Sequence, residues 1–215
     1  MSQIEGSIQI RSTSASTTRQ IAAEVAGLCR AGDLIVLIGG LGAGKTVFAQ
    51  GLSKGLGVTD RVTSPTFALV QTYEGVLRVN HLDVYRLTHI SETADLALPE
   101  LLDDDAVTLV EWGDMIISAL PREYLEVTLV AVEEAESDKS AGGAADPGLA
   151  DSGEDDPREL QLVARGSIWR PRMGALRARL AEMDTGGIGP IDRSDGRDPE
   201  SSGSVESDKR GEASC

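Results

Sequence analysis

Gly39-Gly40-Leu41-Gly42-Ala43-Gly44-Lys45-Thr46 fits the pattern G-x-x-x-x-G-K-[ST], and the residues on either side of it decide the fold class. Before it, Asp33-Leu34-Ile35-Val36-Leu37-Ile38 is almost continuously apolar, as a strand is when helices cover both faces of its sheet. After it, Val47, Phe48, Leu52, Leu56 and Val58 fall on one helical face, with Gly57 as the stop. Strand, glycine-rich loop and helix in that order predict a phosphate-binding loop. Gly39 and Gly44 let the backbone curl until successive N–H groups converge on an anion, and the positive end of the following helix adds to the attraction. Lys45 is expected to reach the β- and γ-phosphates of a nucleoside triphosphate, with the Thr46 hydroxyl on Mg²⁺. Gly42, Ala43, Gly44, Lys45, Thr46 and Val47 are the expected loop contacts to the nucleotide.

Composition narrows the setting. The chain of 215 residues is long enough for a real core, yet aromatics make up only 3% of it, so that core must rest on Val, Leu, Ile and Ala. No apolar run approaches the roughly 20 residues needed to cross a bilayer, and the first ten residues lack a basic start followed by an apolar stretch. A soluble cytoplasmic protein with no membrane contact is expected. Cys29 and Cys215 alone build neither a disulfide framework nor a zinc site, and Cys29 reads as a small core residue.

The net charge of −15 is unevenly spread. Residues 133–158 hold nine acids and two bases, residues 184–215 eight acids and four bases, so these two stretches carry −11 and the remainder only −4. Both are rich in Gly, Ser, Asp and Pro, the composition of segments that bury too little surface to fold. The expected organisation is one ATPase-type domain over 1–183, a disordered acidic hairpin insertion at 133–158, and a disordered acidic tail at 184–215. The remainder shows no basic stripe of the kind that nucleic-acid backbone binding requires.

Along the chain, Ser16, Thr17 and Thr18 precede Ile21, Ala22, Val25, Leu28 and Cys29, which predicts a hydroxyl-capped amphipathic helix. Further strands are expected at Ala68–Tyr73, Leu77–Leu82, Val107–Val110, Leu125–Val132 and Glu159–Ala164, and a C-terminal helix over Met173–Met183. The last two strands bracket the acidic stretch as a hairpin with an enlarged loop. The fold class is α/β, of the P-loop NTPase kind: a mostly parallel central sheet flanked by helices, with a C-terminal β-hairpin.

A phosphate loop needs a carboxylate at a neighbouring strand tip. Val107-Thr108-Leu109-Val110 ends in Glu111, the form of a Walker B strand, which makes Glu111 a metal-binding or catalytic candidate. Trp112 beside it either flanks the nucleotide or only packs. In His81-Leu82-Asp83-Val84-Tyr85-Arg86-Leu87, strand alternation puts His81, Asp83 and Tyr85 on one face, so Asp83 is the second carboxylate candidate. His81 reads first as a hydrogen-bonded structural residue and second as a base. Thr63-Ser64-Pro65-Thr66-Phe67 is an extended turn carrying three hydroxyls, either an ordinary turn or a segment that senses the γ-phosphate.

In order and spacing, LGAGKT at Leu41–Thr46, TSPTF at Thr63–Phe67, HLDVYRL at His81–Leu87 and VEWGD at Val110–Asp114 resemble the TsaE family, formerly YjeE. The resemblance spans residues 11–132 and 159–183. It implies an ATPase of bacterial tRNA threonylcarbamoyladenosine modification that joins TsaB and TsaD and, by hydrolysing ATP, resets their complex between rounds. It also implies Lys45 on phosphate, Thr46, Asp83 and Glu111 around Mg²⁺, and Ser64, Pro65 and Thr66 in a nucleotide-responsive switch. Contact with tRNA then falls to the partners. Two other classes use the same loop. A small-molecule kinase would want an arginine lid, for which Arg86 is the first candidate and Arg61 and Arg78 are less well placed. A GTP switch would want an N-K-x-D segment, and the single asparagine, Asn80, is followed by His81.

Overall fold

A computed structural model describes residues 6–65, 69–85, 102, 105–132 and 156–183. Seven strands form one sheet: β1 (Ser7–Ser12), β2 (Leu34–Ile38), β3 (Val70–Tyr73), β4 (Arg78–Asp83), β5 (Ala106–Glu111), β6 (Tyr124–Ala131) and β7 (Arg158–Arg165). Their spatial order is β1-β7-β6-β2-β5-β4-β3. The α/β class with a parallel centre and a C-terminal hairpin is what the sequence implies. β6, β2, β5 and β4 run parallel, whereas β3, β7 and β1 pair antiparallel at the two sides, so the sheet as a whole is mixed.

β2 lies at the middle because its apolar run leaves four consecutive residues buried, Leu34 to Leu37, with side chains alternating between the two faces. Ile35 and Leu37 join Val107, Leu109, Leu125 and Val127 under helices α1 (Ala15–Ala26), α2 (Lys45–Gly55) and α3 (Arg170–Ala181). Leu34 and Val36 face the other way, with Leu82, Val84 and Val110. Among the described residues that second face is covered by a 3₁₀ segment, Gly113–Ala119, which contributes Ile116 and is followed by Leu120, and by Leu102, which is helical. Gly113 makes this possible, since a side-chain carbon there would run into Val36.

α1 begins two residues earlier than its hydroxyl run suggests. Ser14, extended at φ −159° and ψ 167°, caps it by accepting from the Thr17 N–H, while Thr17 and Thr18 are buried inside the first turn. α2 lies close on α1, because Gly51 and Gly55 leave no side chain between it and Arg19, Ala23 and Ala26. Cys29 packs half-buried beside this core, and burial first, then the Asp33 carboxylate, raises its thiol pKa.

β1 was not legible as a strand. It pairs antiparallel with β7, Ser7 opposite Val163 through Ser12 opposite Arg158, and buries Ile8 and Ile10. The hairpin bracketing the acidic stretch is present, with Tyr124 opposite Arg165 through Ala131 opposite Arg158. The rest of that stretch and the tail after Met183 lie outside the described residues, as do Thr66 and Arg86. No helix among the described residues is long and apolar enough to cross a membrane.

Candidate functional site

The loop between β2 and α2 takes its path from its glycines. Gly39, Gly42 and Gly44 have φ of 153°, 77° and 99°, all in the region that side chains resist. At Gly44 the objection is steric as well, since a side-chain carbon there would sit 2.8 Å from Arg158 Nε. Gly44→Ala should therefore cost about 2 kcal/mol or more. Thermal denaturation without ligand should show a melting temperature roughly 4–8 °C lower. An unchanged melting temperature would show that the loop relaxes freely.

α2 starts at Lys45, directly after Gly44, so its first backbone N–H groups face the loop without a side-chain cap. Lys45 is 5% exposed and its Nζ donates to the carbonyls of Gly39 and Gly40, both at 2.7 Å. The ammonium also lies 3.5 Å from the centroid of the Trp112 ring. Burial lowers the Lys45 pKa, opposed by the charges of Glu111, Asp83 and Asp114. Three carboxylates thus favour the charged form of this buried lysine.

At the second residue of α2, Thr46 Oγ1 lies 3.0 and 3.1 Å from the two carboxylate oxygens of Glu111 and donates to them. Parallel pairing explains how residues so distant meet: β2 and β5 are neighbours, so the loop after one and the last residue of the other lie at the same edge of the sheet. β4 pairs with β5 on the far side, and its register sets Asp83 directly opposite Glu111. Asp83 Oδ2 accepts from the Ser64 hydroxyl and Oδ1 from the Tyr85 N–H at 3.1 Å. Pro65 is buried beside Ser64, and its carbonyl accepts from Leu69 N at 3.1 Å. Thr63 N donates to the Tyr73 hydroxyl at 3.3 Å, which anchors the start of this turn.

His81 is fully buried, and its Nε2 lies 2.9 Å from Glu111 Oε1. It engages one oxygen of Glu111, while Thr46 engages both. Trp112, at φ 61°, turns the chain out of β5 and stacks on Tyr85 with ring centroids 4.6 Å apart. Ring packing and contact with Lys45 therefore both hold for Trp112. The other sequence candidates lie elsewhere. Arg78 pairs with Glu74 at the opposite end of β4, and Arg61 lines a cleft with Arg19, Gln50 and Lys54. Asn80 is buried and accepts from Thr72 Oγ1 within the sheet, so it reads no base. Arg158 was counted with the acidic insertion, yet it opens β7 and lies against Gly44. A basic residue ending an acidic run carries no periodic signal that would have singled it out.

No group of three or more His, Cys, Asp or Glu side chains among the described residues forms a metal cluster. One hydroxyl and two carboxylates, from Thr46, Glu111 and Asp83, are instead the sparse hard-oxygen set that suits Mg²⁺, an ion that keeps waters and takes ligand phosphate oxygens.

The chain is similar to known proteins in both sequence and structure. A family model described as "Threonylcarbamoyl adenosine biosynthesis protein TsaE" matches residues 12–140. The TsaE protein of Bacillus subtilis strain 168, a tRNA threonylcarbamoyladenosine biosynthesis protein, is 40% identical over 158 residues, covering 73% of this chain and 85% of the relative. The TsaE protein of Treponema pallidum strain Nichols is 39% identical over 118 residues, covering 55% and 87%. Among solved structures, Bacillus subtilis YdiB matches with a TM-score of 0.60 and 30% identity, covering 81% of this chain and 94% of that one.

Proposed function

The chain belongs to the TsaE family of threonylcarbamoyl adenosine biosynthesis proteins, and from that premise we propose that it binds ATP with Mg²⁺ and hydrolyses it. The work it supplies is conformational: as a subunit acting with TsaB and TsaD, it resets their complex between rounds of tRNA modification, without itself donating the transferred group. Contact with tRNA is left to those partners.

One observation supports this reading above the others. The Thr46 hydroxyl meets Glu111 across 65 positions of sequence. A hydroxyl from the phosphate loop and a carboxylate from a Walker B strand are the two protein groups that such sites bring to one cation. Thr46 and Glu111, with Asp83 beside them, would hold Mg²⁺, which when bound neutralises charge on the β- and γ-phosphates. Lys45 exchanges its bonds to the Gly39 and Gly40 carbonyls for phosphate oxygens, and the N–H groups of Gly42, Ala43, Gly44, Lys45, Thr46 and Val47 line the cradle. Glu111, steadied by His81, orients the attacking water and draws its proton. Trp112 stacks along the nucleotide side of Lys45.

Ser64 and Pro65, with Thr66, form the responsive segment. The Ser64 bond to Asp83 ties this turn to the metal-binding edge, so a change in what Asp83 holds is felt in the turn. The matching test is turnover of ATP by the chain alone and then with TsaB and TsaD, with no small-molecule acceptor present. Stimulation by the two proteins is the expected result. Turnover that stays slow with both proteins and rises only on adding a phosphoryl acceptor would replace this reading with a kinase.

A further inference from the structure

We propose that the acidic segment 198–208 of this chain docks in a basic cleft formed by α1, α2 and the residues that lead into the serine-proline turn, and so anchors that turn from outside the nucleotide site.

The distribution of charge carries the argument. The cleft, of about 600 Å³, is lined by Arg19 from α1, Lys54 from α2 and Arg61 from the run that follows, with Asp60 as its one acid. Among the described residues Lys54 and Arg61 make no hydrogen bond or ion pair, and Arg19 engages only its Nε, which donates to Gln50 Oε1 at 3.3 Å. Three bases less one acid leave +2 unanswered in a concave site, where field lines are focused, on a chain whose net charge is −15. Three clustered cations are too few for a nucleic-acid backbone, which needs an extended stripe. They suit carboxylates, which guanidinium groups grip with two parallel bonds.

Tethering selects this chain's own acids over those of another molecule. Exposed ion pairs are individually weak, so a short acidic segment arriving from solution gains little here. One joined to the same chain acts at an effective concentration on the order of millimolar. Residues 198–208 supply Asp198, Glu200, Glu206 and Asp208 with no base among them. They also start from the right side of the molecule. α3 ends at Ala181, and Arg179 in its last turn lies 3.5 Å from Glu24 of α1. Arg19 is farther back along that same helix by about 7.5 Å of rise, whereas the chain from Met183 to Asp198 can span up to roughly 50 Å. Glu24 is the one acid of α1, so the path beside it offers no further repulsion.

The cleft is joined to the turn. Gln50, which accepts from Arg19, donates through Nε2 to the Val62 carbonyl at 3.2 Å. Thr63 follows, and then Ser64, which is bonded to Asp83. A segment that holds Arg61 beside Val62, and Arg19 behind Gln50, restrains the entry to the turn from both sides.

The test uses the full chain without nucleotide. A water-soluble carbodiimide joins a lysine to a carboxylate that it touches, so wild type should give links from Lys54 to acids of 198–208. Mass spectrometry should find them within one chain when isotopically heavy and light protein are mixed. R19Q with R61Q keeps Lys54 and should lower those links about fivefold, the combined scale of two exposed ion pairs. Salt at about 1 M, where screening acts over about 3 Å, should do the same. A second variant, D198N, E200Q, E206Q and D208N together, leaves the cleft intact. Amide hydrogen exchange over residues 58–65 should quicken about threefold in it, because the anchor is gone. Should the double variant fail to fold, the tail variant decides. Links from Lys54 that are absent, that persist unchanged in the double variant, or that join heavy to light chains would overturn the docking, as would wild-type exchange over 58–65 in the tail variant. None of these readouts uses nucleotide, so they succeed or fail apart from the ATP reading.

Discussion

Lys45→Ala should abolish productive nucleotide binding while leaving the fold intact. The ammonium is the principal side-chain cation of the loop, and truncating one partner of a desolvated charge pair costs about 3 kcal/mol or more, a loss of over a hundredfold in affinity. Without nucleotide the balance differs. Burial holds the Lys45 pKa below its usual 10.5, so the folded protein binds this proton less tightly than the unfolded chain. The unfolded state then holds more protons between the lowered value and 10.5, which means that this lysine detracts from stability at neutral pH and that the deficit shrinks as pH rises through that window. Removing it forfeits the bonds to the Gly39 and Gly40 carbonyls but also removes a buried charge. The ligand-free melting temperature should therefore change little. Calorimetric titration with ATP, alongside thermal denaturation, separates the two effects: ATP affinity near wild type in the variant would show that Lys45 does not face the phosphates.

Much of this arrangement was legible in the sequence because local pattern and global role coincide there. Asp33 to Ile38 spells a two-face-buried strand, and the glycines that follow are needed for backbone angles that other residues resist. Glu111 and Asp83 were legible as strand tips, since an apolar run ending in an acid marks where a strand leaves the core. Their mutual placement was not legible, because only the parallel register of β4 on β5 sets them opposite one another. The β1 strand escaped notice for a related reason: Ser7-Ile8-Gln9-Ile10-Arg11-Ser12 is short, and its stability comes from a partner more than 140 residues away rather than from its own pattern. The 3₁₀ segment after Glu111 was likewise hidden, since its cover of Val36 depends on Gly113 leaving room for a contact that no helical period encodes. Arg158 is the extreme case. Composition assigned it to an acidic stretch, and only the closure of β7 on β6 brings it to Gly44.

The sheet also explains why turn and tip act together. Ser64 is bonded to Asp83, and Glu111 is shared by Thr46 and His81, so two sets of side-chain contacts, one from the serine-proline turn and one from the loop, end on carboxylates that the register sets opposite one another. A change at one strand tip is then next to the other, which is what a segment needs if it is to respond to the ligand and not merely flank it.

Glu111→Gln should uncouple binding from hydrolysis. The change keeps the volume of a side chain that is 2% exposed and leaves a carbonyl oxygen to accept from Thr46 or from His81, so the strand tip should keep its shape. What disappears is the negative charge and, with it, both the capacity to draw a proton from water and half of the carboxylate pair proposed around Mg²⁺. Loss of a positioned proton acceptor slows such steps by roughly 10²-fold or more. Lys45 and the loop amides are untouched, so ATP affinity should fall by no more than about tenfold, the share of one charge-assisted contact. The variant should accordingly hold ATP long enough to be isolated with it, and single-turnover release of phosphate should be slow at every ATP concentration. Phosphate release at the wild-type rate would reduce Glu111 to a structural partner of His81 and Thr46, and the source of the catalytic carboxylate would then pass to Asp83, which the strand register sets directly opposite Glu111.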